Sequence, residues 1–393
     1  MSNKKIMYIH WLYKPYVIGG GETYLENLIE YQLKNTSNRI ILLTSKPFKS
    51  FKDLFPAKYQ EGDRFIIYRY YPLNIYFGGN TNNKPFIFKV VWYFFNIWNI
   101  HQYLVTKKVL EIEKPDFVHL TSSHSGAVFS AIKKYRTLLT IHAYELIPYP
   151  FLKSKKKNIL VEIYIKIKRF QTKQINTVIF PSKFISNYHS TYKFFPKSQK
   201  HVIYNGINIP SKVKLKDTYM SKDIVFMGQL EEYKGLRVLI EWALKYINDY
   251  GYILHILGKG SMGEYIKDVI PKNDNIIFDG FINNNRRFNI LSSAKFFILP
   301  SIFLENNPMS ILESLSFGTP VIANNVGGVS ELIKDDETGF LINDLNIINL
   351  NKVIKKISFI DEKRYNNMKK KCFDLSKEYS IDKNMKKVLE LYK

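Results

Sequence analysis

The stretch FILPSIFLENNPMSILESLSFGTPVIANNVGGVSELIKDDETG, residues 297–339, is the part of this 393-residue chain that best indicates its fold class. It opens with an apolar run that is typical of a buried strand and continues into a polar loop. Pro308 suits the first turn of a following helix, and Gly318 suits its end. Asn306 or Asn307 suits the helix cap. The stretch therefore predicts a strand, a loop and a helix with well-marked ends.

A helix that begins beside the carboxyl end of a strand presents backbone N–H groups and a positive dipole end to a ligand. An anion such as a diphosphate binds well at such a place. Glu305 lies just before the predicted helix, and Glu313 lies on its second turn. Because carboxylates accept hydrogen bonds from hydroxyl groups, these two residues indicate a ligand that carries hydroxyls as well as phosphates.

Strand candidates lie on both sides of this stretch and alternate with segments that suit helices. The apolar runs are 6–10, 40–44, 117–120, 137–141 and 177–180 in the first half, and 224–227, 252–257, 276–278, 296–299 and 320–323 in the second half. Such alternation predicts parallel sheets that are covered by helices on both faces. The chain is therefore predicted to be an α/β protein with two Rossmann-like, doubly wound domains.

Turn residues and a lysine-rich polar tract separate the two series of strands. We accordingly place a first domain at residues 1–200, a linker at 201–221 and a second domain at 222–375. Residues 376–393 have helical spacing, and we expect this helix to pack back on the first domain.

Composition narrows the setting in which the chain works. The single cysteine, Cys372, excludes an internal disulfide and a thiolate metal cluster and is consistent with a reducing cytoplasm. We find no export signal, and Lys89, Asn96 and Asn99 interrupt the apolar stretch 86–100 before it reaches the length that crosses a bilayer. We therefore expect a cytoplasmic protein. No Asp-x-Asp motif or histidine cluster is present, so we expect no metal.

The formal net charge of +24 requires a class of partner: nucleic acid, an anionic lipid surface or a phosphorylated substrate. The lysines are scattered over the chain, so part of the excess reflects lysine as an ordinary surface residue. No nucleic-acid recognition motif or aromatic RNA platform appears, and we expect no nucleic-acid partner.

Glu305 and Glu313 have the spacing of an E-x7-E motif, and the residues around them resemble the signature of the GT4 (glycosyl transferases group 1) family. The other matching segments are 317–323, Gly327-Gly328, Glu331 and 338–341. The resemblance extends over nearly the whole chain. It implies the GT-B fold, in which two Rossmann-like domains face a central cleft, with the donor bound mainly by the second domain and the acceptor mainly by the first.

The resemblance also implies roles for residues of the second domain. Glu305 would hold hydroxyls of the donor sugar, and Glu313 would hold the ribose. The residues whose backbone would contact the sugar and phosphate are Asn307, Pro308, Met309 and Ser310.

A second phosphate-binding element follows the strand 224–227, where Gly228-Gln229 and Lys234-Gly235 resemble the family's G-R-x…K-G turn. Lys234 is the ammonium expected beside the diphosphate. Gln229 stands where the family usually has arginine, and its amide can hydrogen-bond a phosphate but cannot neutralise it.

Two segments of the first domain also resemble the family. Residues 19–22, Gly-Gly-Gly-Glu, resemble its glycine loop, in which Gly20 and Gly21 let the backbone approach the donor or acceptor closely. Residues 140–145, Thr-Ile-His-Ala-Tyr-Glu, resemble its histidine segment, in which the imidazole of His142 contacts the transferred sugar. The residues predicted to be catalytic are therefore His142, Lys234 and Glu305.

The activity implied by the resemblance is transfer of a sugar from a UDP- or GDP-sugar to an acceptor hydroxyl, with retention of configuration and without a metal or cofactor. Attack from the front face would need no protein nucleophile. The acceptor would be a lipid-linked or growing glycan in the synthesis of a cell-surface polysaccharide, such as lipopolysaccharide or capsule. Two alternatives remain open: a nucleotide-sugar 2-epimerase, and a donor-binding paralogue without transfer activity, which is consistent with the Gln229 departure.

A lipid-linked acceptor would bring the enzyme to the anionic inner face of a membrane. The aromatic segment 86–98 and the lysines near it suit such a peripheral contact. A buried amphipathic helix is the alternative interpretation of this segment, and the sequence favours neither.

Overall fold

The computed structural model describes residues 3–16, 19–77, 85–122, 125–142, 146, 159–209, 215–270, 274–282 and 284–393. The chain divides into two compact units, which are residues 1–204 with 385–393 and residues 205–384. From residue 205 onward, the segment that the sequence assigns to a linker groups with the second unit. Residues 143–145 of the predicted histidine segment lie outside the described residues.

The first unit is built on a sheet of eight strands within the described part of the chain. These strands are β1 (Lys5–Ile9), β2 (Arg39–Ser45), β3 (Ala57–Glu61), β4 (Phe65–Tyr70), β5 (Phe117–Leu120), β6 (Arg136–Thr140), β7 (Thr177–Phe180) and β8 (Gln199–Val202). Their order across the sheet is β3-β4-β2-β1-β5-β6-β7-β8. All neighbours pair in parallel except β3, which runs antiparallel to β4 at the edge.

The connections of the first unit contain helices at α1 (Gly20–Asn35), α2 (Phe86–Phe95), α3 (Ile100–Glu113), α4 (Gly126–Ala131), α5 (Ile159–Gln171) and α6 (Lys183–Thr191). The central strands β1, β2 and β5 are almost completely buried, as expected for a parallel sheet between helices. The apolar face of α1 is buried at Leu25, Leu28 and Ile29, as its helical spacing predicts.

The five strands predicted for the first half correspond to β1, β2, β5, β6 and β7, each within one residue at either end. The sequence did not reveal β3, β4 or β8. Both β3 and β8 are largely exposed edge strands with polar sequences, so they carry little apolar signal. By contrast, β4 is as apolar as the strands that were predicted.

The second unit has a parallel sheet of six strands within the described residues. These are β9 (Asp223–Met227), β10 (Ile253–Leu257), β11 (Ile276–Gly280), β12 (Phe296–Leu299), β13 (Val321–Asn324) and β14 (Gly339–Ile342), in the order β11-β10-β9-β12-β13-β14. The first five correspond to the predicted strands of the second half, within two residues. The strand order reverses at β9, so the loops after β9 and β12 leave the sheet side by side.

Helices of the second unit lie at α7 (Leu236–Tyr250), α8 (Gly263–Val269), α9 (Asn284–Ser293), α10 (Met309–Ser316), α11 (Val329–Leu332), α12 (Ile347–Ser358) and α13 (Glu362–Ser376). A last helix, α14 (Ile381–Glu390), contains the second boundary between the units. Beyond it, Tyr392 is buried in the first unit, where its hydroxyl lies 2.8 Å from the hydroxyl of Tyr8 and 2.5 Å from Nδ1 of His119.

Candidate functional site

Lys234 lies in the turn between β9 and α7, at the end of a short 3₁₀ helix, Glu232–Lys234. The next residue, Gly235, has a φ of +73°, and a β-carbon there would lie 1.8 Å from the carbonyl oxygen of Pro300. Only glycine therefore allows this turn to pack against the end of β12. This close approach brings the Lys234 side chain to the loop that follows β12.

The Lys234 ammonium is paired with the Glu305 carboxylate. Its Nζ lies 2.5 Å from Oε1 of Glu305, and the Ser301 hydroxyl donates to the same oxygen at 2.5 Å. The Lys234 and Glu305 side chains are only 16% and 13% exposed, so water screens the ion pair weakly. The structure thus brings together two residues that the sequence predicts to be catalytic, and it adds Ser301.

The backbone of Glu305 is fixed by the glycines at 327 and 328. The N–H of Gly328 donates to the carbonyl oxygen of Glu305 at 2.8 Å. Gly327 has a φ of +66°, and a β-carbon there would lie 1.9 Å from the same carbonyl oxygen. The Gly327-Gly328 pair, noticed in the sequence as part of a signature, is therefore in direct contact with Glu305.

Helix α10 starts one residue later than the sequence predicts. Its first residue is Met309, and Pro308 occupies the cap position without a side-chain cap bond. Asn307 does not cap the helix because its Oδ1 accepts a hydrogen bond from the backbone N–H of Asn205 at 2.9 Å. The first amides of the helix, at Met309 and Ser310, have no partners inside the helix by geometry, so this end suits an anion.

The end of α10 agrees with its predicted position. Gly318 follows the helix with a φ of +68°, and its N–H donates to the carbonyl oxygen of Leu315 at 3.0 Å. Glycine at this place closes the last helical turn, as the sequence predicts.

Glu313 has a charged partner that the sequence analysis missed. The Arg287 guanidinium, on α9, donates to Oε1 of Glu313 at 3.2 Å. Burial raises the pKa of Glu313 above its usual range, and Arg287 opposes part of that rise. Arg287 belongs to the polar run Asn-Asn-Asn-Arg-Arg, which gives no signal that distinguishes it from surface charge.

Gln229 carries no charge and forms a local hydrogen bond. Its Oε1 accepts a hydrogen bond from the Tyr233 hydroxyl at 2.6 Å. The backbone of Tyr233 accepts in turn from the N–H of Ile302 at 2.9 Å, in the loop after β12. Gln229 is therefore connected to the same pair of loops that carry Lys234 and Glu305.

In the first unit, the glycines at 20 and 21 are not in a loop. Helix α1 begins at Gly20, and Gly19 is its cap residue, whose N–H donates to Oε2 of Glu22 at 2.9 Å. The prediction of a glycine loop at this place is therefore wrong, because Glu22 caps the helix early. A β-carbon on Gly21 would lie 3.5 Å from Cδ2 of His142 and 3.7 Å from Cε1 of His10.

His142 belongs to a cluster with His10, Glu22 and Tyr24 at the carboxyl ends of the strands. The Tyr24 and His142 rings meet edge to face with their centroids 4.8 Å apart. Desolvation, with a contribution from the charge of His10, lowers the pKa of His142 to about 3. Its imidazole is therefore uncharged near neutral pH, with one ring nitrogen that donates a hydrogen bond and one that accepts.

His10 and Glu22 were not assigned a role from the sequence. Nδ1 of His10 lies 2.8 Å from the Thr121 hydroxyl, and its Nε2 lies 3.6 Å from Oε1 of Glu22. Burial would raise the pKa of Glu22, but its hydrogen bond and charge interaction with His10 lower it below its usual value. His10 directly follows a buried strand, and this position is the signal that could have identified it.

The described residues also bear on metal binding and on membrane crossing. They contain no group of three or more His, Cys, Asp or Glu side chains placed to hold a metal ion. None of their helices combines the length and the apolarity that crossing a membrane requires.

Two family models match the chain in succession. Residues 18–210 match the one described as Glycosyltransferase Family 4, and residues 211–373 match the one described as Glycosyl transferases group 1. An uncharacterized glycosyltransferase of Methanocaldococcus jannaschii is 24% identical over 99% of this chain and 98% of its own length. The Escherichia coli UDP-Gal:alpha-D-GlcNAc-diphosphoundecaprenol alpha-1,3-galactosyltransferase is 27% identical over 72% of this chain and 77% of its own length.

Among solved structures, the sucrose-phosphate synthase of Thermosynechococcus elongatus is similar with a TM-score of 0.74. It is 17% identical, and the match covers 99% of this chain and 98% of that one. At this identity the likeness establishes the fold and nothing more, and the predicted GT-B fold is confirmed.

Proposed function

The chain belongs to the GT4, or glycosyl transferases group 1, family of enzymes, and from this premise we propose the reaction that it performs. It transfers a sugar from a UDP- or GDP-sugar to an acceptor hydroxyl with retention of configuration. The acceptor is a lipid-linked or growing glycan of a cell-surface polysaccharide. The observation that carries this proposal is the cluster of Lys234, Glu305 and Ser301 beside the start of α10.

The cluster supplies what departure of a diphosphate requires. The Lys234 ammonium and the first amides of α10 place positive potential where negative charge develops on the leaving group. In the structure, the charge of Lys234 is balanced by Glu305. On binding, the phosphates take over the ammonium, and the Glu305 carboxylate becomes available to accept hydrogen bonds from sugar hydroxyls.

The proposed chemical step is balanced without a protein nucleophile. The acceptor oxygen forms a bond to the anomeric carbon on the face from which the diphosphate departs, and the bond between that carbon and the phosphate oxygen breaks. The proton of the acceptor hydroxyl passes to the departing phosphate. Because leaving group and nucleophile share one face, the configuration is retained, and the enzyme contributes charge stabilisation and positioning.

His142 acts in this step as a neutral group. With its pKa lowered to about 3, the imidazole donates or accepts a hydrogen bond to the transferred sugar without adding a charge that opposes the developing oxocarbenium ion. Gly21 leaves the space beside the ring open, since any larger side chain would enter it.

A uridine donor and a lipid-diphosphate acceptor are the first choices for assay. The E. coli relative is named for UDP-galactose and for a sugar linked to diphosphoundecaprenol. A lipid-linked acceptor also suits the net charge of +24, which favours an anionic membrane surface.

Side-chain exposure in the first unit supports a peripheral membrane contact. Trp98 and Phe170 are 49% and 72% exposed, and a hydrogen bond from Nε2 of Gln171 to the carbonyl oxygen of Ile97 joins their two segments at 3.1 Å. Other exposed apolar side chains among the described residues of α2, α3 and α5 are Ile87, Phe88, Phe95, Ile100, Leu104, Ile112, Ile159 and Ile163. Flotation with liposomes that contain or lack anionic lipid tests this contact, and equal recovery without liposomes and with anionic liposomes would exclude it.

We also propose that the reaction needs no metal ion. Lys234 and the helix start provide the positive potential that a divalent ion provides in other transferases. Unchanged transfer after treatment with a chelator supports this part of the proposal, and activity that is lost with chelator and restored by Mg²⁺ or Mn²⁺ contradicts it.

The transfer reaction itself is tested with purified protein and a panel of UDP- and GDP-sugars, with and without a diphosphoundecaprenol-linked acceptor. Sugar transfer that depends on the acceptor supports the proposal. Conversion of the donor to a new nucleotide-sugar without acceptor would identify a 2-epimerase instead. Binding of a donor without either product would identify the donor-binding paralogue.

A further inference from the structure

The chain passes between the two units twice, and both crossings meet in one hydrogen-bonded cluster. Asn205 is the first residue of the second unit, and Asn384 is its last. Nδ2 of Asn384 donates to the carbonyl oxygen of Asn205 at 3.4 Å. Beyond this bond, the N–H of Ile207 donates to the carbonyl oxygen of Tyr379 at 2.9 Å, and the N–H of Ile381 donates to the carbonyl oxygen of Ile207 at 2.8 Å.

The same cluster holds the loop that precedes α10. The backbone N–H of Asn205 donates to Oδ1 of Asn307 at 2.9 Å, and Nδ2 of Asn205 donates to the carbonyl oxygen of Asn307 at 3.2 Å. Asn307 lies two residues after Glu305 and two before the helix. Asn205 therefore joins the crossings of the chain to the loop that carries the proposed donor site.

The cluster is buried, and its hydrogen bonding is incomplete. Asn205, Asn307 and Asn384 are 9%, 6% and 1% exposed. Among the described residues, Nδ2 of Asn307 and Oδ1 of Asn205 have no hydrogen-bond partner. A buried amide group without a partner is costly, so a ligand oxygen that accepts from Nδ2 of Asn307 would be favoured.

We propose that Asn205 is a positioning residue that transmits occupancy of the donor loop to the two chain crossings. The inference rests on the proposed function, because it takes the loop at Asn307 to hold the donor. A donor oxygen that binds Nδ2 of Asn307 fixes that side chain, and its Oδ1 and backbone oxygen hold Asn205. Asn205 in turn holds Asn384, so donor binding stiffens both crossings together.

Hydrogen–deuterium exchange of the ligand-free protein tests the connection without any donor. We compare wild type with Asn205→Ala, with Asn384→Ala and with the matched control Asn275→Ala, which loses the hydrogen bond from its Nδ2 to Oδ1 of Asn248 elsewhere in the second unit. Asn205→Ala loses the bond from Nδ2 of Asn205 to the Asn307 carbonyl oxygen, and Asn384→Ala loses the bond to the Asn205 carbonyl oxygen. Loss of one hydrogen bond predicts about fivefold faster exchange of the peptide 303–310 in Asn205→Ala and of the peptide 379–384 in Asn384→Ala. Exchange of both peptides at the wild-type rate, with the control equally unchanged, would overturn the proposal.

Millimolar UDP or GDP then tests transmission. In wild type we expect the nucleotide to slow exchange in 303–310 and also in 205–209 and 379–384. In Asn384→Ala, which lacks the bond to the Asn205 carbonyl oxygen, protection of 303–310 persists while protection of 379–384 is lost. Protection of 379–384 that persists in this variant would contradict the role of Asn205.

Failure of the proposed function and failure of the connection through Asn205 give different results. Absence of protection at 303–310 in wild type by either nucleotide counts against the proposed function, whereas the ligand-free comparison still decides the connection. If Asn205→Ala does not fold by circular dichroism, Asn384→Ala still tests the link between Asn205 and the second crossing. This variant loses only the bond to the Asn205 carbonyl, and it is expected to lose nucleotide protection of 379–384 while keeping that of 303–310.

Discussion

Nζ of Lys234 and Oε1 of Glu305 are 2.5 Å apart, which pairs the ammonium expected at the phosphates with the carboxylate expected at the sugar. Each group holds the other in position before a donor arrives. Both side chains are already largely shielded from water and held in place. A donor that replaces one partner of the pair therefore meets a group that is already desolvated and positioned. This relationship makes each residue a sensitive place for substitution.

Glu305→Gln keeps the size of the side chain and removes its charge. We expect kcat to fall by about 10² to 10³, because the carboxylate orients the sugar in the transition state. Ser301→Ala removes only one hydrogen bond to the same oxygen, and we expect a fall of about fivefold. Steady-state kinetics of both variants check the order, and a larger effect of Ser301→Ala than of Glu305→Gln would contradict the assigned roles.

Arg287 is expected to act on donor affinity through Glu313. Arg287→Leu removes the partner at 3.2 Å, so the pKa of Glu313 rises further and the carboxylate loses its fixed orientation. We expect the KM for the donor to rise about tenfold with kcat nearly unchanged, and Arg287→Lys to restore part of the loss. The neighbouring Arg286→Leu is the control, since Arg286 pairs with Asp279.

Gln229→Arg introduces the positive charge that the family usually has at this position. A guanidinium near the phosphates is expected to tighten binding of UDP or GDP by about tenfold at low salt, and less at high salt. Isothermal titration calorimetry at two ionic strengths measures this change. Unchanged affinity at both ionic strengths would contradict a place for position 229 beside the phosphates.

Stability of the first unit is expected to fall in mild acid. Desolvation lowers the pKa values of His119 and His142 to about 3 and that of His189 to about 4. The unfolded chain binds protons at these residues near pH 6.5, whereas the folded unit does not, so protons favour unfolding as pH falls from about 6.5 towards 4. Urea unfolding at several pH values measures the slope.

A substitution at His119 isolates the contribution of one of these histidines. His119→Gln removes one titrating residue and should reduce the slope of stability against pH by about 1.4 kcal/mol per pH unit in that range. The second unit provides a contrast of opposite sign at His255. Burial would lower the pKa of His255, but Asp223 and Asp279 raise it, so its contribution is present in acid and is lost as pH rises through the raised pKa. An unchanged slope in His119→Gln would show that His119 does not titrate between the two states.

The buried parallel strands could be predicted from the sequence because burial on both faces produces uninterrupted apolar runs. The helix end at Gly318 was also predictable, since a glycine there serves one geometric purpose. Edge strands such as β3 were not, because an exposed strand carries no such run. The glycines at 20 and 21 were assigned to a loop because composition alone does not show that Glu22 caps the helix at Gly19.

The site residues likewise divide into those with a local signal in the sequence and those without one. Lys234, Glu305 and Glu313 lie at fixed spacing after strands or within a helix, and these positions give a local signal. Arg287, Ser301 and Asn205 act through partners 26, 4 and 102 residues away. For Arg287 and Asn205, only tertiary contacts reveal the pairing. Ser301 was missed despite its proximity, because its role depends on the turn of the loop that aims its hydroxyl at Glu305.

The central claim is that the second unit binds a nucleotide diphosphate at Lys234. Calorimetric titration of UDP and GDP into wild type, Lys234→Met and the matched control Lys245→Met tests it most directly. The expected result is binding of at least one nucleotide to wild type and Lys245→Met, with affinity reduced about tenfold or more in Lys234→Met. Equal affinity of all three proteins for that nucleotide, or binding of neither nucleotide to wild type, would contradict the claim.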